Sequence, residues 1–153
     1  MADAFDRFGV DLRLLRDLEN QNSRNPGNDL FAARDKPADL ETLARVDNLK
    51  QALLLRFLTP AGELALLGHP DYGSRLFDLI GELNNETNRN RAKLFVLEAL
   101  QAEPRVKKIL SVKVTQNRAD RTRMDIDVSL VHLDSDTPFN LVFPFFLDRG
   151  ITA

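Results

Sequence analysis

The sequence contains no cysteine, and that absence excludes several classes of site. Without thiols the chain has no disulfide framework, no cysteine nucleophile and no cysteine-bound metal. Long apolar runs are missing as well, since no stretch reaches the roughly 18 consecutive apolar residues of a transmembrane helix. No charged-then-apolar signal peptide opens the chain, so we expect a protein that is soluble as made.

An excess of basic residues is also absent. The 21 lysines and arginines are balanced by 23 aspartates and glutamates, which gives a formal charge of -2 and a pI near 5.7. Proteins that bind nucleic acid through its phosphates carry a clear basic excess on one face. We therefore expect neither nucleic acid nor a membrane as a partner.

Metal-binding and nucleophilic motifs are few. The chain has 2 histidines, His69 and His132, and neither lies at ligand spacing from another histidine or from acidic residues. His132 continues the apolar face of Leu130 and is expected at the end of a strand. No Gly-rich phosphate loop and no Gly-x-Ser-x-Gly elbow is present. We expect no metal and no cofactor.

Two carboxylate pairs have the residue types that glycoside hydrolysis uses, an acid and a base or nucleophile across a cleft. They are Glu82 with Glu86, and Asp125 with Asp127. The second pair alternates with apolar residues and lies beside Arg123, which indicates the solvated face of a strand. Neither pair is predicted to be catalytic, and we expect the protein not to be an enzyme.

The period of the apolar residues changes at Glu103-Pro104-Arg105. Before this triplet a helical spacing joins Ala92, Phe95, Val96, Ala99 and Leu100. After it the period is two, which predicts a strand with Leu110, Val112 and Val114 on one face. Because proline lacks an N–H and clashes with the preceding turn, the helix should end before Glu103. A carboxylate and a guanidinium then flank a stiff corner.

Two further helices are predicted upstream of this corner. One runs from Asp47 to Leu58, with Asp47 as N-cap and an apolar face formed by Leu49, Leu53, Leu54 and Phe57. A short one follows the loop Gly68–Ser74, capped by Ser74 and closed by Gly81; its apolar residues are Leu76, Phe77, Leu79 and Ile80. The run Asn84-Asn85-Glu86-Thr87 offers several candidate caps for the long helix that ends at Pro104.

Two strands are predicted downstream of the corner strand. The first has apolar residues at Met124, Ile126, Val128 and Leu130, and the second at Phe139, Leu141, Phe143, Phe145 and Leu147. Both connections are short and polar, which favours antiparallel neighbours. The predicted fold is therefore α+β, a three-stranded antiparallel meander packed with two main helices and one short helix. Pro144 cannot donate to a ladder, so its strand is predicted at an edge.

The segment before Asp47 has a different character. Residues 1–28 have little apolar content and end in a loop-like run, so we expect them to be extended and to become ordered against a partner. A short hairpin is predicted from residues 29–32 and 40–46 around a turn at 35–38. We therefore divide the chain into an extended N-terminal arm, residues 1–46, and a domain of residues 47–148.

Three segments carry a family resemblance. They are residues 48–63 (NLKQALLLRFLTPAGE), residues 69–76 (HPDYGSRL) and the triplet Glu103-Pro104-Arg105. In this order and at these spacings they resemble the baseplate wedge and sheath-initiator family of contractile injection machines. Its members occur in contractile-tailed phages, type VI secretion systems, tailocins and extracellular injection particles. The resemblance runs from about Asp47 to Phe146.

The resemblance implies a structural binding protein of the inner baseplate. Such a protein contacts wedge proteins and gives the first sheath ring a sheet edge to join, with tube or hub proteins as further neighbours. The resemblance also implies assembly in the cytoplasm into a virion tail or injection particle, in multiple copies, with six as the expected number.

Particular residues acquire roles from this resemblance. Glu103, Pro104 and Arg105 correspond to the family's hallmark triplet, which stabilises the fold and faces the wedge core. The residues expected to have structural roles in the motifs are Thr59, Pro60, Gly62, Pro70, Tyr72, Gly73 and Arg75. The strand with Leu110, Val112 and Val114 is the expected docking edge, because Pro144 interrupts the other edge and open edges recruit partner strands.

Two alternatives from other functional classes remain. Relatives in this family have been labelled lysozyme-like, so a peptidoglycan hydrolase is the enzyme alternative. The fold is also similar to that of a stress-response anti-adaptor, which would make the protein a regulator of proteolysis.

Overall fold

A computed structural model describes residues 8–15, 30, 32–33 and 39–148. Its helices and strands follow the order β1 (Val10–Leu12), β2 (Thr42–Ala44), α1 (Arg45–Leu58), α2 (Glu86–Gln101), β3 (Val106–Gln116), β4 (Arg123–His132) and β5 (Phe139–Phe146). Two short 3-10 helices, Ala65–Leu67 and Arg75–Leu79, lie between α1 and α2. Within the described part of the chain, no helix is long and apolar enough to cross a membrane.

The three long strands form an antiparallel sheet in the order β3-β4-β5, which confirms the predicted α+β fold and its meander. One face of the sheet is fully buried through Met124, Ile126, Val128, Leu130, Leu141 and Phe145. The helices cover this face, and the rings of Phe57 on α1 and Phe143 on β5 stack with centroids 4.7 Å apart. As Pro144 predicted, β5 is an edge strand of this sheet.

The N-terminal cap predicted for α1 is wrong. The helix begins at Arg45, immediately after β2, and its N-cap Ala44 makes no side-chain hydrogen bond. Asp47 therefore already lies within the first helical turn, where its carboxylate is 3.9 Å from the Nζ of Lys50. The predicted apolar face is confirmed, since Leu49, Leu53, Leu54 and Phe57 are all buried.

The other predicted helix ends agree with the structure. Asn85 caps α2 by accepting a hydrogen bond from the backbone N–H of Asn88, and the helix ends at Gln101, before the proline corner. Ser74 accepts from the N–H of Leu76, as predicted, but the helix it caps is a 3-10 helix that excludes Ile80. The adjacent N–H of Gly81 donates to the carbonyl of Leu147 at 2.6 Å.

The predicted apolar face of β3 is partly wrong. The pairing with β4 shifts between Ile109 and Ser111, so Leu110 has no partner on β4. Ile109 packs against the core in its place, together with Val112 and Val114, while Leu110 is 45% exposed. An extra residue in one strand of an antiparallel pair changes which side chains face the core, and the alternation read from the sequence does not reveal it.

Two antiparallel pairings involve the described N-terminal residues. β1 and β2 are antiparallel, and a single antiparallel bridge joins Ala32 to Leu40, where the predicted hairpin arms would meet. The turn at 35–38 and the loop at 20–28 lie outside the described residues. Arg45 and Val46, which we assigned to the hairpin, are instead the first residues of α1.

Residues 8–15 attach to α1 through side-chain amides as well as apolar contacts. Phe8 and Leu15 are 2% and 8% exposed within the same core as α1. Gln51, fully buried, accepts hydrogen bonds from the N–H groups of Leu14 and Leu15 and donates to the carbonyl of Leu12, all between 2.8 and 3.1 Å. We expected the segment to be extended and to become ordered against a partner, whereas its residues 8–15 pack on α1. The domain boundary at residue 46 stays a prediction.

Replacing this buried amide tests how residues 8–15 are held. We expect Gln51→Ala to destabilise the protein by about 1–3 kcal/mol, because it leaves three backbone groups without a partner. Amide exchange should accelerate first at residues 12–15. The matched control is Gln116→Ala, since Gln116 is exposed and makes a single 3.3 Å bond to Arg121. Unchanged exchange at 12–15 in Gln51→Ala would show that the amide does not hold the segment.

Candidate functional site

The proline corner is built around a buried carboxylate. Glu103 is 5% exposed and accepts two bonds from the guanidinium of Arg105, Nε to Oε1 at 2.6 Å and Nη2 to Oε2 at 3.1 Å. The backbone N–H of Arg105 donates to the same Oε1 at 3.3 Å. Such bidentate, charge-assisted pairs are geometrically specific. Pro104 between them fixes the backbone, so the predicted corner residues do come together.

Arg105 also contacts the N-terminal segment. Its Nη1 donates to the carbonyl of Phe8 at 3.3 Å, and the backbone carbonyl of Arg105 accepts from the N–H of Leu133 at 3.1 Å. The side chain is 22% exposed. The corner therefore joins α2, β3, the residues after β4 and the chain before β1.

A second guanidinium, which sequence reasoning did not assign, approaches the carboxylate from α1. Arg56 is 9% exposed, and its Nη2 lies 3.8 Å from Oε2 of Glu103. Its guanidinium stacks over the Tyr72 ring, 4.6 Å from the centroid. Its position in the sequence could have predicted its burial, because Arg56 directly precedes the buried Phe57 and lies three residues after the buried Leu53 on the same helix.

These charges change the acidity of two groups. Burial by itself raises the pKa of the Glu103 carboxyl, but the hydrogen bonds and charge of Arg105 and the charge of Arg56 outweigh it, so the pKa lies below its usual 4.5. The pKa of Tyr72 is raised, chiefly by burial, which exceeds the lowering by Arg56. At neutral pH the corner therefore holds an ionised carboxylate beside a neutral phenol.

The loop with Tyr72 is fixed to the end of α1 by backbone contacts. Ser74 N–H donates to the carbonyl of Thr59 at 2.9 Å, and Ala61 N–H donates to the carbonyl of Ser74 at 3.0 Å. Between them Gly73 has a φ of +108°, and a Cβ there would lie 2.6 Å from the carbonyl oxygen of Pro60. Only glycine fits where the two backbone segments approach this closely. Thr59, Pro60 and Gly73 therefore lie together where the loop meets the end of α1; the structural role that the family resemblance implies for them stays a prediction.

The remaining residues expected to be structural lie around the same loop. Gly62 donates to the carbonyl of Tyr72 at 3.3 Å, and Pro70 lines an open depression beside Arg56. Arg75 is exposed, pairs with Asp78 at 3.1 Å and stacks over the Phe95 ring at 4.5 Å. Gly62 and Pro70 therefore belong to the loop above Arg56, and Arg75 links the following 3-10 helix to α2.

The strand residues assigned to partner binding occupy two environments. Val112 is 4% exposed and Val114 packs against the core, so their side chains stabilise the domain. Leu110, at the register shift, is the large apolar residue that β3 exposes. Of the three assigned residues, Leu110 is thus the one with an exposed side chain; that any of them binds a partner stays a prediction.

The carboxylate pairs weighed for catalysis are exposed or already bonded. Glu82 is exposed, and its Oε1 lies 3.9 Å from Nη1 of Arg91. Asp125 accepts hydrogen bonds from Arg123 and, at 2.8 Å, from the amide of Asn117. Asp127 lies opposite Lys113 on β3. Both aspartates thus lie on the polar strand face predicted from the sequence.

Within the described part of the chain, neither histidine lies in a metal-binding cluster. His132 ends β4 as predicted and packs its ring edge-on against Phe8, with centroids 5.0 Å apart. His69 is exposed in the loop above Arg56. Among the residues the structure describes, no three acidic or histidine side chains are placed to hold a metal ion.

The corner carboxylate gives stability a predictable pH dependence. A pKa lowered on folding means that the unfolded chain binds the proton more readily, so the stability contributed by Glu103 is present at neutral pH and is lost as pH falls below about 4.5. We expect Glu103→Gln to cost about 2–3 kcal/mol at pH 7, because two guanidinium groups lose their counter-charge.

Urea unfolding at several pH values measures this contribution. Wild-type stability should decline more steeply than that of Glu103→Gln between pH 5 and the acid limit of folding. Glu98→Gln on the exposed face of α2 is the matched control and should stay within about 0.5 kcal/mol of wild type. Parallel pH profiles for wild type and Glu103→Gln would contradict the assignment.

Two alanine substitutions test the close approach of Gly73 to the carbonyl of Pro60. We expect Gly73→Ala to destabilise the fold by about 2–4 kcal/mol. Alanine would be held at a positive φ that L residues disfavour, and its Cβ would clash with backbone carbonyls. Gly62→Ala is the control: its φ is +82°, but a Cβ there meets nothing within 4 Å, so only the conformational cost of about 1 kcal/mol applies. Equal losses in thermal unfolding would show that the close approach to Pro60 has no energetic weight.

Comparisons with known proteins identify the family. A family model described as the contractile injection system sheath initiator matches residues 26–132. A crystal structure of a candidate tail lysozyme from Geobacter sulfurreducens is similar with a TM-score of 0.56 and 32% identity, covering 63% of this chain and 86% of that one. No curated protein in the comparison matches significantly. The resemblance read from the sequence is confirmed: the chain belongs to the contractile injection system sheath initiator family and has a structural role in such a machine.

Proposed function

We propose that this protein joins wedge proteins of the baseplate and starts sheath assembly by accepting a β-strand from a sheath subunit. The observation that carries the proposal is the position of β3 at the edge of a three-stranded sheet. Family membership supports a place in the baseplate, and the edge position of β3 supports strand addition as the mechanism. Assembly in the cytoplasm, several copies in each baseplate, and contacts with tube or hub proteins are part of the same proposal.

The edge of β3 is suited to strand addition. Within the described part of the chain β3 pairs with β4 alone, so alternate N–H and C=O groups along its other side have no strand partner. An incoming strand would bond to these groups for affinity and use alternate side-chain positions for register. The stretch Ser111–Gln116 pairs regularly with β4 and is long enough for several such bonds.

Two features of β3 favour a specific partner over self-association. Lys107, Lys108 and Lys113 are exposed along it, and lysines on an edge discourage pairing between identical edges. The register shift at Leu110 interrupts the regular ladder and exposes one apolar side chain for recognition. The other edge is less suitable, since Pro144 in β5 has no N–H to donate.

The corner triplet supports this role from inside the domain. Arg105 donates to Glu103 and to the carbonyl of Phe8, so its hydrogen bonds are internal and favour a stabilising function over direct partner contact. Pro104 is exposed beside it, and the surface around it is our candidate for the wedge contact. The corner would thus hold β3 at a fixed angle to the helices while wedge proteins bind from the same end.

A peptidoglycan hydrolase is the second candidate, favoured by the name given to the Geobacter sulfurreducens protein. Such an enzyme would need two carboxylates across a cleft. A turbidity assay on purified peptidoglycan tests it: clearing by wild type that is lost in Asp125→Asn or Glu82→Gln would establish hydrolysis. No clearing at micromolar protein would remove this candidate.

Two proline substitutions test strand addition at β3. Lys113 and Gln116 are exposed, and because they lie three residues apart their N–H groups point to opposite sides of the strand. The proline that removes a bond to β4 should cost about 1–3 kcal/mol of stability, while the other removes an outward donor and should cost less. Thermal unfolding therefore identifies which variant alters the free edge.

We expect the more stable of these two variants to abolish sheath formation in cells that lack the wild-type gene. Electron microscopy of particle preparations should show baseplates without sheath. The corresponding control is Asn140→Pro in the exposed position of β5, which should leave sheath formation unchanged. Normal sheaths with the stable β3 variant would show that β3 does not accept a strand, and loss with Asn140→Pro alone would assign the function to β5.

A further inference from the structure

Arg56 is a buried cation with one unsatisfied hydrogen-bond donor. It is 9% exposed, and among the residues that the structure describes its Nε has no hydrogen-bond partner. The nearest carboxylate oxygen, Oε2 of Glu103, is 3.8 Å from Nη2, which is too long for a hydrogen bond. Buried donors without partners are rare in folded proteins because each costs free energy, so this one needs an explanation.

Glu103 does not supply the missing partner. Its short side-chain bonds are to Arg105, at 2.6 and 3.1 Å, while its Oε2 lies 3.8 Å from Nη2 of Arg56. The three charged side chains of the corner, Arg56, Arg105 and Glu103, therefore sum to one net positive charge. That surplus resides on the guanidinium of α1, since Arg105 has the closer and bidentate pair.

The surplus charge lies beside an open depression. This hollow has a volume of about 280 Å³, and Arg56 forms part of its wall together with His69, Pro70, Asp71 and Tyr72. Among the described residues, the salt bridge of Arg56 is to Glu103, and Asp71 is not part of it. The Tyr72 ring covers one face of the guanidinium at 4.6 Å, and the side chains of His69 and Asp71 also line the hollow.

The loop that forms the hollow also exposes two leucines. Leu66 and Leu67 are 99% and 74% exposed, directly before Gly68 and His69 in the wall. Their backbone is held by bonds such as Leu67 N–H to the Leu64 carbonyl at 3.0 Å and His69 N–H to the same carbonyl at 3.1 Å. An ordered loop that presents two leucines to solvent is typical of a protein-binding surface.

We propose that this hollow receives an aspartate or glutamate side chain of a neighbouring baseplate subunit, with apolar residues of the same segment packed on Leu66 and Leu67. Charge complementarity identifies the ligand as a carboxylate, because a guanidinium pairs with two carboxylate oxygens in one plane. The exposed leucines identify its carrier as a protein segment. The inference rests on the proposed function, which places the chain among such subunits, and it adds a contact separate from the β3 edge.

Arg56→Lys separates charge from geometry at this site. The substitution keeps the positive charge but loses the planar fork, so we expect a folded protein that competes poorly for its place in the particle. When tagged wild type and variant are co-expressed, mass spectrometry of purified particles should show about 10–100-fold less variant incorporated. Arg118→Lys, at an exposed turn position, is the matched control and should incorporate like wild type. Equal incorporation of Arg56→Lys would overturn the proposal.

A cross-link identifies the partner directly. A carbodiimide joins an amine to a carboxylate without a spacer. Particles assembled from Arg56→Lys without competing wild type should therefore give a peptide linking position 56 to an acidic residue of a different subunit. A link to Glu103 alone would overturn the proposal. Inorganic phosphate is the probe for a free anion. If sub-millimolar phosphate shifts the NMR signal of the Arg56 Nε–H in the isolated protein and no link forms between subunits, the hollow binds small anions and the proposal is overturned.

These outcomes are distinct from failure of the proposed function. Absence of the wild-type chain from purified baseplates would contradict the proposed function itself. Wild type present in normal sheathed particles, with Arg56→Lys incorporated equally, would contradict only the contact at the hollow.

Discussion

The buried carboxylate of Glu103 is the constraint on which the arrangement of this domain depends. A carboxylate that is 5% exposed needs opposite charge and hydrogen bonds, because its desolvation is otherwise very costly. Arg105 supplies both from the start of β3, and Arg56 supplies charge from α1. Since Arg105 also donates to the carbonyl of Phe8, one anion connects the long helix, the sheet and the N-terminal segment.

A buried ion network of this kind is better explained by geometry than by stability. Apolar residues of similar volume often stabilise a core as well as an ion pair does. The bidentate bond between Glu103 and Arg105, however, spans Pro104 and fixes the direction in which the chain leaves α2 and enters β3. A docking edge is useful only at a defined angle to the surfaces beside it. The corner thus links the sequence motif to the proposed assembly role by orienting β3.

The sequence predicts those parts of the fold that depend on local periodicity. The alternation from Met124 to Leu130 required a half-buried strand, and the apolar spacing around Phe57 required a helix, because each pattern fits a single backbone period. The hydroxyl of Ser74 was predictable as a cap for a similar reason: its partner N–H is two residues away. The carboxylate and guanidinium of the corner could be predicted from Pro104 and its neighbours.

The features that the sequence did not predict depend on distant contacts. Gln51 reads as a polar residue of a helix, yet it bonds to backbone groups 36 to 39 residues away. Arg56 reads as a charged residue in an apolar run, and its place beside Glu103 follows only from the packing of α1 on the corner. Leu110 was misplaced because one unpaired residue reverses the strand alternation.

The register shift at Leu110 also bears on the proposed function. It leaves Ile109, Val112 and Val114 to stabilise the core and exposes Leu110. A partner strand could therefore pair with β3 without disturbing the core, and the entropy lost on docking would fall mainly on the incoming segment.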